Sequence, residues 1–400
     1  MNKNKYKLYC LIIIGLLSFS FLGCKNSSVS TISTKTETNT DSKEINIVFA
    51  GDVLMHGPQL KSGYDAINNT YNFDDFFTYV NSYISNADLA ICNSETSYLG
   101  AGSTYSGYPT FNSPTELLSS LKNTGFDVLA SAHNHILDKG VQGFNNTSKA
   151  ITDSGFDLIG IKNSLEDKNY IVKDINGIKI GITNYTYSTL DSTGARALNG
   201  IPVPKELNER INLFSDSNID NDLVSMKSTL DAMKADGAEF SIFYLHWGNE
   251  YQRLPSKEQE KIAKVLNSYG VDAIIGSHPH VVQPVRTIKN DESDKETLVC
   301  YSLGNFVSNQ RKETMGNIRS EDGLMITLTI YKDEDSKVRL KSYETEPTWV
   351  YKYVDKAGKD HYNILPVEEI LNDKDDRKFT KDVFNKIQDS YNATESTIKS

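Results

Sequence analysis

The sequence predicts an α/β fold, and three observations carry that expectation. From residue 45 onward, short runs rich in β-branched residues alternate with amphipathic helical stretches. Several runs are apolar almost without a break, the mark of strands covered on both faces. Six of the seven histidines follow closely on such runs, and loops beyond strand ends are where α/β folds carry their chemistry.

The chain opens with Lys3, Lys5 and Lys7, and residues 8–23 are mostly apolar, ending Phe21-Leu22-Gly23-Cys24. A basic start, an apolar middle and a small residue before the cut predict a secretory signal over residues 1–23. The cysteine after Leu22-Gly23 resembles a bacterial lipobox, which implies a lipoprotein with lipid such as palmitate on Cys24. A retained anchor is the competing reading, but the run is short of the ~20 apolar residues that span a bilayer comfortably. Either way, the protein is expected at the extracytoplasmic face of the cell membrane. Residues 24–44 are rich in Ser, Thr, Asn and Lys, with only Val29 and Ile32 as large apolar residues, and predict a flexible tether.

Residues 45–335 are expected to form the main domain. Its buried strands are predicted at 45–50, 89–92, 128–130, 178–183, 240–245, 273–275 and 298–301. Ser113-Pro114-Thr115-Glu116 reads as a capping box with Pro at the first helical position; Leu117, Leu118 and Leu121 supply the apolar face and Gly125 the stop. Ser256 with Gln259 caps another helix, whose Ile262, Val265, Leu266 and Tyr269 face inward and which Gly270 ends. Residues 336–400 read as a small C-terminal extension. It holds a packing strand over 348–353, a helix marked by Phe379, Val383, Phe384, Ile387 and Tyr391, and a frayed end over 392–400.

Formal net charge is −10, and loss of the three leading lysines takes it to −13. With no basic strip anywhere, nucleic acid is not an expected partner. Of four cysteines, Cys10 and Cys24 belong to the leader, while Cys92 and Cys300 lie in apolar runs and read as buried free thiols.

Asp52, Glu95, Asn134, His246, His278 and His280 each close an apolar run, and such an oxygen and nitrogen set delivered by successive strand ends suits a two-metal hydrolytic site. A carboxylate wants the place between two cations, which makes Asp52 and Glu95 the bridging candidates. Turn-capping or ion pairing are the alternatives for these acids, and a turn role is the alternative for Asn134. His133 reads as a solvated neighbour, and His56 as either a ligand or a loop histidine. Trp247 and Tyr251 read as packing or as substrate platforms, Asn305 as closing a turn after Gly304 rather than contacting substrate, and His361 as incidental.

The ordered motifs are Gly51-Asp52, Asn93-Ser94-Glu95-Thr96, Asn134-His135-x-x-Asp138-x-Gly140, His246-Trp247-Gly248-x-Glu250-Tyr251, His278-Pro279-His280-x-x-Gln283 and Tyr301-Ser302-Leu303-Gly304-Asn305-Phe306. Together they resemble the bacterial CapA family of capsule and poly-γ-glutamate synthesis proteins, which is similar in turn to the calcineurin-like metallophosphoesterases. The resemblance implies a four-layer α-β-β-α sandwich and two divalent ions, manganese, iron or zinc. One ion would take Asp52, Glu95 and His280, and the other Glu95, Asn134, His246 and His278. It implies a role in making, exporting or anchoring a capsular polymer, beside membrane proteins of polymer synthesis. His135 is the candidate general acid, with Asp138 one helical turn on to orient it. The chain departs from the phosphoesterase pattern at two points: Leu54 stands where Asp-x-His is usual, and Glu95 replaces the usual bridging Asp. A non-catalytic metal- and polymer-binding subunit is the alternative function, and amide hydrolysis of the polymer a third.

Overall fold

The computed structural model describes residues 43–290, 292–373 and 379–400. The expected signal segment, Cys24 and nearly all of the tether lie outside the described residues. Four strands come first, side by side and parallel: β1 (Glu44–Val53), β2 (Leu89–Ser94), β3 (Val128–Ala130) and β4 (Asp157–Ile159). Between them lie α1 (Gly57–Gly63), α2 (Glu116–Thr124) and α3 (Gly140–Asp153). The chain then builds a second sheet from β5 (Ile171–Ile175), β6 (Ile178–Tyr187), β7 (Leu213–Phe214), β8 (Phe240–His246), β9 (Ala273–Ser277), β10 (Val285–Lys289) and β11 (Glu296–Cys300). Helix α4 (Ile219–Ala235) precedes β8 and α5 (Lys257–Tyr269) precedes β9. Strand β12 (Asn305–Val307) returns to the first sheet beside β1. The antiparallel meander β13 (Asp322–Lys332), β14 (Val338–Val354) and β15 (Asp360–Pro366) extends that sheet from the same strand, and α6 (Lys381–Ile398) follows.

Side-chain alternation along each strand decides the layering. Ile47, Phe49, Ile91 and Val128 of the first sheet pack against Ile180, Ile182, Ile242 and Ile275 of the second. The opposite face of the first sheet, with Val48, Ala90, Cys92 and Leu129, is covered by Leu117, Leu118 and Leu121 of α2. Phe243, Leu245, Ile274 and Val299 on the outer face of the second sheet lie under Met226 and Leu230 of α4 and Ile262 and Leu266 of α5. The result is the four-layer α-β-β-α sandwich that the resemblance implied. Each Val, Leu, Ile, Phe or Met among them stabilises the fold by about 1.5–3 kcal/mol when fully buried. Cys92 and Cys300 are buried and free, as their apolar settings suggested.

Local expectations fared unevenly. Ser256 and Gln259 form the capping box at α5, and Gly270 ends that helix at φ 87°. At α2 no box forms: the helix starts at Glu116, Thr115 caps it without a side-chain bond, and Ser113 Oγ instead meets Thr96 Oγ1 at 2.8 Å. Residues 392–400 were expected to fray, yet α6 runs to Ile398 with Thr394, Thr397 and Ile398 buried. Arg253 holds that end by donating to Ala393 O at 2.8 Å, and Arg286 by donating to Ser400 O at 3.2 Å. The segment after residue 335 joins the first sheet along the whole of β13. Among the described residues, no helix is long and apolar enough to cross a membrane.

Candidate metal centre

Parallel strands from both sheets deliver the site, because their C-terminal ends point the same way. Asp52 lies near the end of β1, Glu95 one residue past β2, Asn134 and His135 in the loop after β3, His246 at the end of β8, and His278 and His280 just past β9. Strand β1 bulges around Gly51 in its pairing with β2. There the Gly304 carbonyl passes so close that a Cβ on Gly51 would lie 2.0 Å from its oxygen, and the next amide, Asp52 N–H, donates to that oxygen at 3.0 Å. A bulge re-aims the following side chain, and here it turns Asp52 into the site.

The six candidate ligands come together. Asp52 Oδ1 accepts from Asn93 Nδ2 at 2.8 Å, and its Oδ2 accepts from the His278 backbone N–H at 3.3 Å. His280 Nδ1 stands 3.2 Å from Asp52 Oδ2 and 3.1 Å from Asn305 Oδ1. His246 Nε2 lies 2.8 Å from Asn134 Oδ1 and 3.6 Å from Glu95 Oε1, while its Nδ1 faces Ser277 Oγ at 3.1 Å. Potential ligand atoms of Asp52, Glu95 and His246 lie within 4.8 Å of one another, and so do those of Glu95, His278 and His280. These groups cut across the division implied by the resemblance, and Glu95 belongs to both.

The backbone holds the last two ligands in an unusual shape. His278 and His280 adopt left-handed conformations at φ 96° and 55°, each costing about 1–2 kcal/mol for a residue with a Cβ. Asn305 offsets part of that cost: its amide nitrogen reaches the His280 carbonyl at 3.3 Å and the Ser320 carbonyl at 2.9 Å. It is therefore a brace for His280 as well as a turn residue.

Electrostatics show what the cluster lacks. Glu95 is fully buried, and neither carboxylate oxygen has a hydrogen-bond partner; His278 Nδ1 is likewise unpartnered. Burial pushes the Glu95 carboxyl well above its ordinary range, although the His280 charge opposes the shift. Burial and the neighbouring His278 hold the His246 imidazole well below its usual value, so it is neutral, and burial does the same to His278. His280 is driven up to about 9, because Glu95 and Asp52 outweigh its burial. A buried acid beside two neutral imidazoles, a third imidazole held charged by Glu95 and Asp52, and an amide oxygen is a donor set that suits a divalent cation. The chain thus carries a buried His/Asp/Glu cluster of metal-binding type.

Beside the cluster, His135 Nδ1 meets Asp138 Oδ2 at 2.9 Å, and its ring stands edge-on to Phe111 at 4.7 Å. The segment from 133 to 140 is a chain of turns rather than a helix: the Asp138 N–H donates to the His135 carbonyl at 3.1 Å, and α3 begins only at Gly140. The tight turn keeps the three-residue spacing and its contact. Both side chains line a cleft of about 850 Å³ that opens above the ligands.

Other positions resolve too. His133, read as solvated, is fully buried with its ring 6.2 Å from that of His246. His56 caps α1 on the cleft wall, outside both ligand groups, with Nδ1 accepting from the Asn309 N–H at 3.4 Å. Leu54 is buried at the cleft and offers no donor atom. Trp247 is packing: it stacks on Tyr301 and donates Nε1–H to the Tyr301 carbonyl at 2.9 Å. Tyr251 lines the cleft. His361 pairs with Asp355 at 3.0 Å on the β14–β15 hairpin.

Sequence reasoning missed three residues. Asn93 orients Asp52, and its place in the Asn93-Ser94-Glu95 motif was a usable signal. Tyr187, at the end of β6, lies parallel to the His246 ring at 6.4 Å and 4.7 Å from His278. Asn199 sits at φ 46° in the turn between Arg196–Leu198 and Ile201–Pro202, where it accepts from Asn134 Nδ2 at 3.1 Å and reaches the His135 ring at 3.4 Å. Asn199-Gly200 advertises a turn but nothing about a site.

Comparison with known proteins extends the picture. The family model described as bacterial capsule synthesis protein PGA_cap matches residues 46–310. The capsule biosynthesis protein CapA of Bacillus anthracis is 26% identical over 334 residues, which cover 81% of this chain and 73% of that one. The PGA biosynthesis protein CapA of Bacillus subtilis (strain 168) is 25% identical over 336 residues, covering 82% and 78%. Among solved structures, the Haemophilus influenzae NAD nucleotidase NadN superposes with a TM-score of 0.46 at 12% identity, over 88% of this chain and 63% of that one. The yellow lupin purple acid phosphatase PPD1 gives 0.35 at 11% identity, over 76% and 54%. This chain thus spans less than two thirds of either solved chain. The matched span holds the whole strand-end cluster and its ordered motifs, and the chain belongs to the bacterial capsule synthesis protein PGA_cap family.

Proposed function

We propose that the chain is a lipid-anchored, metal-dependent phosphoesterase that serves the synthesis, export or anchoring of a capsular or poly-γ-glutamate polymer at the extracytoplasmic face of the cell membrane. The observation that carries the reading is Glu95, common to both ligand groups, sealed from water and lacking any donor. The relatives' names support the polymer setting. The leader read from the sequence supports the anchor on Cys24, with membrane proteins of polymer synthesis as partners.

The mixed oxygen and nitrogen set, free of thiolate, suits two ions of manganese, iron or zinc held by Asp52, Glu95, Asn134, His246, His278 and His280. Such ions supply Lewis-acid polarisation of a phosphoryl oxygen and a water of lowered pKa. The protein's own part is positional. Asn93 and the His278 N–H fix the Asp52 carboxylate, Ser277 fixes the His246 ring, and Asn305 fixes His280. Hydrolysis joins a water oxygen to phosphorus and breaks the bond from phosphorus to the departing alcohol oxygen. His135 gives that oxygen its proton from Nε2, while Asp138 accepts from Nδ1–H and orients the ring.

The test is metal content together with turnover of bis-p-nitrophenyl phosphate by the purified chain. About two ions with turnover, both lost in the His246→Ala/His278→Ala double variant, is the expected result. Full activity in that variant would sink the proposal. A second reading, a non-catalytic metal- and polymer-binding subunit, draws on Leu54, which leaves one donor short at the first strand. That subunit would tolerate His135→Ala in capsule-forming cells, whereas the enzyme would not.

A further inference from the structure

The cleft above the ligands has an uneven chemistry. Tyr108, Pro109, Phe111, Ile201, Tyr251 and Met315 give it an extended apolar and aromatic wall. Asp138 and Glu250 contribute carboxylates, and among the described residues no lysine or arginine lines it. Asp138 is engaged by His135 and by the Phe111 N–H at 2.7 Å. Glu250 is exposed and, among the described residues, carries no hydrogen bond or ion pair of its own; its charge reaches His280 on the cleft floor and otherwise faces the cleft.

Two arginines close to the rim are committed elsewhere, while Lys139 and the exposed Lys312, which opens the short helix carrying Thr314 and Met315, stand outside the lining. Arg311 follows the cleft residue Gln310, but its guanidinium turns away to Glu321 at 2.6 Å and to the Val350 carbonyl at 2.8 Å. Arg196, at the base of the hairpin bearing Asn199 and Ile201, pairs with Asp222 at 2.5 Å and donates to Ser188 Oγ at 2.9 Å. Lys139 is held on the hydroxyls of Ser106 at 3.0 Å and of the cleft residue Thr110 at 3.2 Å. A site built for a polyanion would present several such groups to the ligand. This one offers a cation-binding floor, an apolar wall and a free carboxylate.

We infer that the cleft takes a phosphoester with one phosphoryl group, whose flanking group is apolar or aromatic and carries no further negative charge. Glu250 is the residue that enforces the exclusion. The inference rests on the phosphoesterase reading and narrows it: a γ-linked polyglutamate strand or a nucleoside polyphosphate is repelled, while a single phosphoryl on an apolar or cationic carrier is admitted. It also sets aside amide hydrolysis of the polymer at this site.

The experiment is calorimetric binding to the full chain in non-ionic detergent with manganese, using phenylphosphonate and 4-carboxyphenylphosphonate, which differ by one carboxylate. Two like charges about 8 Å apart at an effective dielectric near 30 set the expected preference for phenylphosphonate at about tenfold. Glu250→Gln should shrink that ratio to about threefold or less, and Glu250→Lys should abolish or reverse it. Glu250 is exposed, so neither variant threatens folding. Equal or tighter binding of the carboxylated ligand by the unaltered protein, or a ratio indifferent to both substitutions, overturns the inference while leaving the phosphoesterase reading intact. Binding of neither phosphonate, with no turnover of bis-p-nitrophenyl phosphate, overturns both.

Discussion

Glu95→Gln should make this protein more stable without metal and less stable with it. The Glu95 carboxyl is fully buried, and neither oxygen accepts a hydrogen bond from the protein, the His246 and His280 rings standing 3.6 and 3.9 Å from Oε1. Burying such a group without hydrogen bonds costs about 1–3 kcal/mol on mutational scales, and more when it is charged. The raised carboxyl has a definite sign. Its contribution is intact below the ordinary value of 4.5 and is lost as pH rises, because the folded state must hold a proton that the unfolded state gives up. Glutamine carries no charge, so the variant escapes that loss. The compact unit spans residues 42–400. An unfolding entropy of about 2 cal/mol/K per residue makes it about 0.75 kcal/mol per degree; glutamine still leaves a polar group buried, so only the charge-related part of the cost is relieved, and each 1 kcal/mol of it raises Tm by about 1.3 °C. An ion at a hundred times its Kd stabilises the unaltered protein by about 2.7 kcal/mol, or about 4 °C, and Glu95→Gln forfeits most of it. Differential scanning calorimetry in chelator and in manganese, at pH 4.5 and pH 8, reads all four states. The variant should gain in chelator at pH 8, show little difference at pH 4.5, and fall behind once manganese is present. A lower Tm for Glu95→Gln in chelator at pH 8 would refute the reasoning, since Glu95 would then be stabilising on its own.

Three further outcomes follow from the same geometry. His135→Ala should lower turnover of a phosphoester with a poor leaving group by about 10²–10⁴-fold, and Asp138→Asn by less, with both effects shrinking for p-nitrophenolate, whose departure needs little proton; equal losses on both substrates would refute general-acid catalysis. Burial drives Asp322 up to about 7 from 3.8, against the opposing charge of Arg319, so its share of stability is lost as pH rises between those values. Denaturant titrations should show Asp322→Asn flattening that decline, and an unchanged slope would count against it. Arg311→Met leaves the Glu321 carboxylate, 5% exposed, without its cation and with only the Trp349 Nε1–H and Lys312 N–H donors, and should cost about 3–5 kcal/mol of unfolding free energy, whereas the Arg311→Met/Glu321→Leu pair should recover much of it.

What the sequence disclosed, it disclosed through two kinds of signal. Strands such as Phe240–His246 are buried on both faces, so their apolar runs are unbroken and their ends are sharp. The ligands are chemically conspicuous residues placed at those ends, which made Asp52, Glu95 and the histidines easy to single out. The supporting residues are ordinary ones whose role exists only after folding. Asn199 reaches Asn134 across 65 residues, and no local pattern encodes that. Ser113 looked like a cap until Thr96 offered its hydroxyl a closer partner, a tertiary contact overriding a local preference. The expected fraying of 392–400 failed similarly, because two arginines from elsewhere in the chain hold the helix end.

The pairing of β1 with β12 and β13 sets the order in which this protein can come into being. Asp52 needs the His278 amide 226 residues downstream, and its neighbour Gly51 needs the Gly304 carbonyl beside it. A chain emerging from its N-terminus can fold β1 to β4 as a parallel unit, but that unit ends in an open edge at β1 with Asp52 and Glu95 poorly held. Closure of such distant contacts is slow, and an exposed strand edge invites association in the interval. The candidate metal site is therefore a late product of folding, assembled only when the last third of the chain arrives. A complete ligand cluster reports that the chain has been made at least through Asn305.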